Sequence, residues 1–428
     1  MSPTQREVYL VIGGSGFVGR HIVQALLDRG DSVAVFDIVQ RYDDVPFYSG
    51  DISDEEQVSL ALQRSGANCI IHTASPPHGV EDPALYWKVN VEGTKAVIAA
   101  AVANKVPKLV YTSSAGVVFN GEDLVDIDER LLPPEKAMDA YNESKAKAEE
   151  IVLAANGKGG LLTVALRPAG IFGPGDRQAI VGFATVLEEN KAHFQIGDNT
   201  NLFDWTYVGN VAYAHILAAD KLVPPTEVDV KTKRENLDKA LPAIELTTGS
   251  YRVPTSEARD LGPYVERPAN ADQLVAAFES GPRPERPVVR SRFDQFSEAS
   301  LDRETESPLQ VAGQAFFITN GEPLYFWDFA RGIWRMLAPD KYPARKNIVL
   351  PKSVGLTLAT LSEWWGWLVG KEPTFTRFRV TFASASRWHN IEKARRVLGY
   401  EPQIGVEEGM KRTVAWLKAE QAKAKANS

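Results

Sequence analysis

The chain is poor in the residues that build covalent frameworks or bind metals. Its 428 residues hold one cysteine, Cys69, which excludes a disulfide framework and a cysteine-built metal cluster. The six histidines show no ligand spacing, so no metal is expected. Basic charge is also in deficit. Lys and Arg total 48 against 55 Asp and Glu, and the net charge of −7 argues against a general nucleic-acid binder. A lone thiol inside an apolar run fits a reducing compartment. The N-terminus, MSPTQRE, lacks the apolar core of a signal peptide. Spanning a bilayer takes about 20 uninterrupted apolar residues. The strongest candidate, Ser353–Val369, is broken by Glu363, which disfavours a transmembrane helix.

What is present is a nucleotide-binding pattern. Glu7–Ile12 is an apolar, β-branched run that reads as a buried parallel strand. It ends in GGSGFVG, where Gly13, Gly16 and Gly19 keep the G-x-x-G-x-x-G spacing and Phe17 and Val18 open a helical pattern through Arg29. Such a tight strand-to-helix turn presents backbone N–H groups and a helix N-terminus to a pyrophosphate. A second strand, Ser32–Phe36, ends at Asp37. A carboxylate there binds ribose hydroxyls and repels a 2′-phosphate, which favours NAD over NADP. Asp51, followed by Ile52, has two open readings: contact with the adenine amino group, or the cap of a helix starting near Glu55. The strand Asn68–Thr73 exits through Ala74 and Ser75, which would pass close to the cofactor, while His72 is expected to pack near the sheet.

Tyr141 and Lys145, in YNESK, give the nucleotide a purpose. They follow a strand, Lys108–Thr112, that ends in Ser113 and Ser114, and their i, i+4 spacing puts both on one face of a helix. Oxidising an alcohol requires its proton to leave as hydride departs. A free tyrosine, with a pKa of about 10, is too weak a base at neutral pH, and lowering it by about 2–3 pH units takes about 3–4 kcal/mol. A nearby ammonium and an oxidised nicotinamide both favour phenolate. Ser114 would then hydrogen-bond the substrate oxygen, Lys145 the nicotinamide ribose, and Asn90, in VNVEGT, would fix a neighbouring helix and a water relay beside the cofactor.

GGSGFVG, YTSSAG, YNESK and RPAGIFGPGDR (167–177) together resemble the extended short-chain dehydrogenase/reductases. HTASPPHG (72–79), SSAGVVFNG (113–121), DAYNESKAKAE (139–149), FQIGDNTNLFDWTYVGNVAYAH (194–215) and FFITNGEP (316–323) narrow the likeness to the 3β-hydroxysteroid dehydrogenase branch. Within it the chain is similar to the decarboxylating sterol-4α-carboxylate 3-dehydrogenases of fungal sterol (ergosterol) biosynthesis. The likeness covers about 5–225 and 312–418 and fails over about 226–311. It implies an α/β fold, a doubly wound parallel (Rossmann) sheet with a smaller C-terminal substrate lobe. It also implies NAD as cofactor and a 4α-carboxysterol as substrate, oxidised at C3 and then decarboxylated as a β-keto acid. Tyr141 becomes the base, Lys145 its partner, and Ser114 or Ser113 the orienting hydroxyl, with Pro168 added to the cofactor contacts. Arg177 has two readings, as a partner for the 4α-carboxylate or as a structural residue. Two other functions stay open: another hydroxysteroid dehydrogenase or a nucleotide-sugar epimerase on the same fold, and a non-catalytic NAD-sensing scaffold.

The expected organisation is a NAD-binding domain over 1–175, joined by 203–222 and by 313–321 as a returning strand, with a substrate lobe over 176–202 and 322–428. The polar stretch 226–311 reads as a mobile surface insertion with a short helix near Ala271–Glu279, or as a partner-docking element. Ser353–Val369 carries Trp364, Trp365 and Trp367 between Lys352 and Lys371. It suits a helix in a membrane interface and equally one packed on the substrate lobe. The expectation is peripheral attachment to the cytosolic face of the endoplasmic reticulum. A homodimer and partners in sterol C4 demethylation are further expectations of the resemblance.

Overall fold

The computed structural model describes residues 7–80, 82–224, 246–252, 264–268, 310–340, 342, 347–370 and 375–426. Its centre is a seven-stranded parallel sheet. From one edge the strands are Gln314–Ile318, Leu162–Pro168, Lys108–Thr112, Cys69–His72, Val8–Ile12, Ser32–Asp37 and Phe47–Ser49. Strand interiors such as Tyr9–Ile12 and Cys69–His72 are fully buried because helices cover both faces of the sheet. The chain starts in the middle, runs to one edge, then returns across Val8–Ile12 to build the other half. The reversal opens a crevice at the carboxyl ends of Val8–Ile12 and Cys69–His72, where doubly wound sheets bind ligands. The expected fold class is the one observed.

The helices Phe17–Arg29 and Val208–Lys221 pack together on one face, and Glu55–Ser65 and Gly93–Ala103 on the other. The helix Ala140–Ala154 begins with Asp139 as its cap, whose carboxylate accepts the Asn142 N–H at 2.7 Å. It is tied to the sheet by Glu149, which meets Arg167 of the strand Leu162–Pro168 with Nε–Oε2 at 2.9 Å. Both side chains are almost fully buried.

A second layer of structure stands over the crevice. Its four-stranded sheet runs Leu324–Tyr325, Leu202–Phe203, Arg387–His389 and Leu124–Ile127. The last of these strands comes from inside the first 175 residues, so that segment also contributes to the small sheet. Aromatic rings fill the space behind it, with Trp205 stacked on Phe329 at 4.0 Å between centroids. Within 226–311, Leu246–Arg252 pairs antiparallel with Tyr264–Pro268, a ribbon not anticipated from the polar composition. The helix anticipated near Ala271–Glu279 lies outside the described residues.

Removing one partner of a buried ion pair strands the other charge. Glu149→Ala should therefore lower unfolding stability by about 3–5 kcal/mol, read from urea denaturation. A loss below about 1 kcal/mol would mean that the pair does not anchor the helix.

Candidate active site

The crevice is a cleft of about 1500 Å³ with two unlike ends. One is lined by the glycine turn and the strand ends, the other by rings including Phe203, Trp205, Phe326 and Phe382.

The glycine end is shaped by the absence of side chains. A Cβ on Gly13, which holds φ +82°, would stand 2.6 Å from the Ala74 backbone nitrogen. A Cβ on Gly19 would stand 2.1 Å from the Gly13 carbonyl oxygen, so the helix Phe17–Arg29 starts directly against the strand end. That helix has no side-chain cap and no acidic residue in its first turn, which leaves its N-terminal amides for an anion. Asp37 closes the turn from below, accepting the Ser15 N–H at 3.0 Å and the Ile38 N–H at 2.7 Å. These features fit a dinucleotide: donors and a helix terminus for the pyrophosphate, and a carboxylate at the second strand end for the ribose.

Other expected positions fall on the same wall. Phe17, Val18, Asp51, Ile52, Ala74, Ser75 and Pro168 all line the cleft. The capping reading of Asp51 is corrected. Asp54 caps Glu55–Ser65, accepting from the Glu56 and Gln57 N–H groups, whereas Asp51 accepts from Lys88 Nζ at 2.8 Å. The Lys88 ammonium, with help from Ser53, holds the Asp51 carboxyl down at about 2. Asn90 does not line the cleft. It is buried in the π-helical turn Trp87–Glu92, where its Nδ2 donates to Ser144 Oγ at 2.9 Å and so fastens the Tyr141 helix from behind. His72 is fully buried beside Thr94, its imidazole pushed down to about 3 by burial, and so packs as a neutral ring.

At the junction of the two ends stand Tyr141, Ser114 and Lys145. Ser114 begins the short turn Ala115–Val118, its Oγ accepting the Gly116 N–H at 3.0 Å, and its hydroxyl favours the ionised form of the neighbouring Tyr141 phenol. Ser113 is buried with no hydrogen-bond partner for its hydroxyl, so Ser114 is the serine that meets Tyr141. Lys145 Nζ donates to the Thr112 carbonyl at 2.6 Å and to the Tyr111 hydroxyl at 3.1 Å rather than to the Tyr141 phenol. Tyr141 is flanked by His78 and Tyr86, with ring centroids at 4.9 and 5.5 Å.

The electrostatics depart from the expectation of a lowered tyrosine. Burial pushes the Tyr141 phenol up to about 12, with Ser114 acting in the opposite sense. Burial likewise pushes the Lys145 amine down to about 7, against the pull of Glu149. Desolvation disfavours whichever form is charged, and here it is the largest cause of both shifts.

One residue of the site was not singled out in the sequence. Arg387 lines the cleft on the small sheet, its guanidinium 3.9 Å from the centroid of Phe382 and 4.6 Å from those of Phe119 and Phe203. Burial pushes it down to about 9, with Asp139 opposing. Arg177 lines the cleft as an exposed side chain.

Comparison with known proteins gives the family by two routes and the fold by a third. The model of the 3-beta hydroxysteroid dehydrogenase/isomerase family matches residues 10–235. A Saccharomyces cerevisiae protein named sterol-4-alpha-carboxylate 3-dehydrogenase, decarboxylating, is 39% identical over 95% of this chain and 97% of its own length. The human protein of the same name is 33% identical over 97% of this chain and 89% of its own. Among solved structures, the Thermus thermophilus UDP-glucose 4-epimerase in complex with NAD shares the fold at TM-score 0.57 and 20% identity, over 96% of this chain and 98% of that one.

The Lys145 shift carries a stability consequence. With its folded value about 7 and its ordinary value 10.5, the unfolded chain binds more protons across that window, so this group makes stability rise with pH there. Urea midpoints between about pH 7 and 10 should rise less steeply in Lys145→Met than in the parent. Parallel slopes would mean the amine is charged in the folded protein throughout.

Proposed function

Because the chain belongs to the 3-beta hydroxysteroid dehydrogenase/isomerase family, we propose that it oxidises the 3β-hydroxyl of a 4α-carboxysterol with NAD and releases CO₂ from the product. The observation that carries this reading is the meeting of Tyr141 and Ser114 where the glycine-lined and aromatic ends of one cleft join. A flat, apolar, four-ring substrate suits the aromatic end, and its 3-hydroxyl then reaches the polar junction.

NAD, when bound, supplies the acceptor for the C3 hydride and a positive charge beside the phenol. Ser114 donates to the substrate oxygen and orients it. Tyr141 takes the hydroxyl proton, and its phenolate is favoured by Ser114 and by cationic charge at the junction. Lys145, held by Thr112 and Tyr111, is placed to bind the nicotinamide ribose. The 3-ketone stands β to the carboxylate. When the bond from C4 to the carboxyl carbon breaks, its electron pair moves to the ketone oxygen as an enolate. Tyr141, now protonated, and Ser114 are the hydroxyls at that oxygen, and the phenol returns the proton.

The same reading accounts for the helix Lys352–Val369. It packs through Gly355, Ala359 and Gly366 and turns its large apolar side chains outward. Trp364 and Trp365 are 60% exposed and Trp367 78%, a surface that water alone does not favour. No described helix is long and apolar enough to cross a membrane. Tryptophans with flanking lysine suit a helix lying in the headgroup layer, where a sterol enters from the bilayer. The cytosolic face of the endoplasmic reticulum is the surface inferred.

Incubation with a 4α-carboxysterol and NAD⁺ should release NADH and CO₂ in equal amounts, and Tyr141→Phe should lower the rate by about 10²–10⁴ while still binding NAD. NADH without CO₂ would leave a plain dehydrogenase, and near-parental turnover in Tyr141→Phe would remove the tyrosine as base. Replacing Trp364, Trp365 and Trp367 with alanine should leave the fold intact and abolish cosedimentation with lipid vesicles. Undiminished cosedimentation would assign the helix to packing alone.

A further inference from the structure

Among the described residues, several guanidinium groups with little exposure are paired with carboxylates. Arg167 meets Glu149, Arg395 meets Glu392 and Arg331 meets Asp328. Arg387 departs from that rule. Among the described residues no carboxylate lies within ion-pair distance of it. Its Nη2 donates to the Phe382 carbonyl at 3.1 Å, its Nε is buried with no partner, and the faces of Phe119, Phe203 and Phe382 surround the rest. Asp139, whose charge reaches it, is already engaged: it caps the Tyr141 helix and meets His78 at 3.1 Å. Keeping a cation among three rings without an anion is unfavourable, and ring faces alone recover only part of that loss. A site that tolerates this deficit is prepared for a negative charge that arrives with a ligand.

The position of Arg387 says which part of the ligand carries that charge. Arg387 pairs in register with Phe203 and with Leu124 on the small sheet, facing the same cleft as Tyr141. Phe119, under its guanidinium, closes the turn that Ser114 begins. On the other side a chain of rings links it to the base: Phe382 to Phe378 at 5.8 Å, Phe378 to His78 at 5.1 Å, and His78 to Tyr141 at 4.9 Å. The charge of Asp139 is felt by both Tyr141 and Arg387. Arg387 thus stands on the aromatic side of the cleft, joined to Tyr141 through Phe378 and His78 and sharing with it the charge of Asp139.

Resting on the proposed function, we propose that Arg387 binds the substrate's C4 carboxylate and so selects 4-carboxylated sterols over 3-hydroxysteroids that lack the acid. C4 is bonded to C3, so an anion held here fixes the carbon whose hydroxyl Tyr141 and Ser114 serve. The planar guanidinium offers paired donors that match a carboxylate, and the surrounding rings exclude the water that would screen the pair. Arg177 is the weaker candidate because it is exposed, where solvent screens its charge.

The wild-type enzyme provides the first test. A 4α-carboxysterol lacking the 3-hydroxyl should bind at least ten times more tightly than its methyl ester, and equal affinity would overturn the assignment. The second test compares kcat/KM for a 4α-carboxysterol with that for an uncarboxylated 3β-hydroxysteroid in wild type, Arg387→Met and Arg387→Lys. The ratio should fall at least tenfold in Arg387→Met and recover in part in Arg387→Lys. An equal loss on both substrates would make Arg387 structural and leave the proposed function standing. A wild-type enzyme that forms NADH from neither substrate would remove the proposed function and this inference with it. Should Arg387→Met fail to bind NAD, indicating a lost fold, the ester comparison decides alone.

Discussion

The site depends on one amine forced out of water. Lys145 Nζ donates to the carbonyl of Thr112, the last residue of its strand, and that bond pins the helix Ala140–Ala154 against the end of Lys108–Thr112. Ser114 stands two residues beyond Thr112 and Tyr141 one turn before Lys145, so fastening helix to strand is what brings phenol and hydroxyl together. The Glu149–Arg167 pair and the Asn90–Ser144 hydrogen bond hold the same helix from two other directions. The arrangement is rigid because none of these polar groups can leave its partner without a desolvation loss.

The same burial explains why the base is not preformed. Desolvation raises the phenol and lowers the amine together, so burial opposes charge on both groups. Ionising the phenol then depends on charge that enters with the ligands. Proton removal is thereby tied to a complete complex, which keeps an exposed phenolate from forming in its absence. Arg387 follows the same logic with the opposite sign. It is a cation kept in an aromatic enclosure where only a matching anion relieves its isolation. The two ends of the cleft thus differ in kind, one lined by glycine and backbone and the other by aromatic rings.

Much of this was legible in the residues. Gly13, Gly19 and Asp37 were readable because a tight strand-to-helix turn tolerates few alternatives, and both glycine positions turn out to have no room for a Cβ. Tyr141 and Lys145 were readable because helical spacing alone puts them on one face. Of the two readings left open for Asp51, capping is excluded because Asp54 accepts the amide hydrogens, which only coordinates show. Asn90 was expected to fix a neighbouring helix and does so through Ser144, but from the widened turn Trp87–Glu92 it does not line the cofactor cleft. The lowered Tyr141 phenol was an expectation for the site with nicotinamide bound, whereas burial in the chain alone pushes it up, since spacing reports neighbours and not the loss of water around them.

Sequence by itself determined the parallel sheet, the dinucleotide turn and the tyrosine–lysine helix, since each is set by local period and by residues within one strand–turn–helix unit. Tertiary structure alone decided which serine meets the phenol, how far burial moves the two titrating groups, and that Arg387 is caged by Phe119, Phe203 and Phe382. Those three rings lie on segments far apart along the chain, and the dielectric and the missing counter-charge they create belong to the packed whole rather than to any stretch of it.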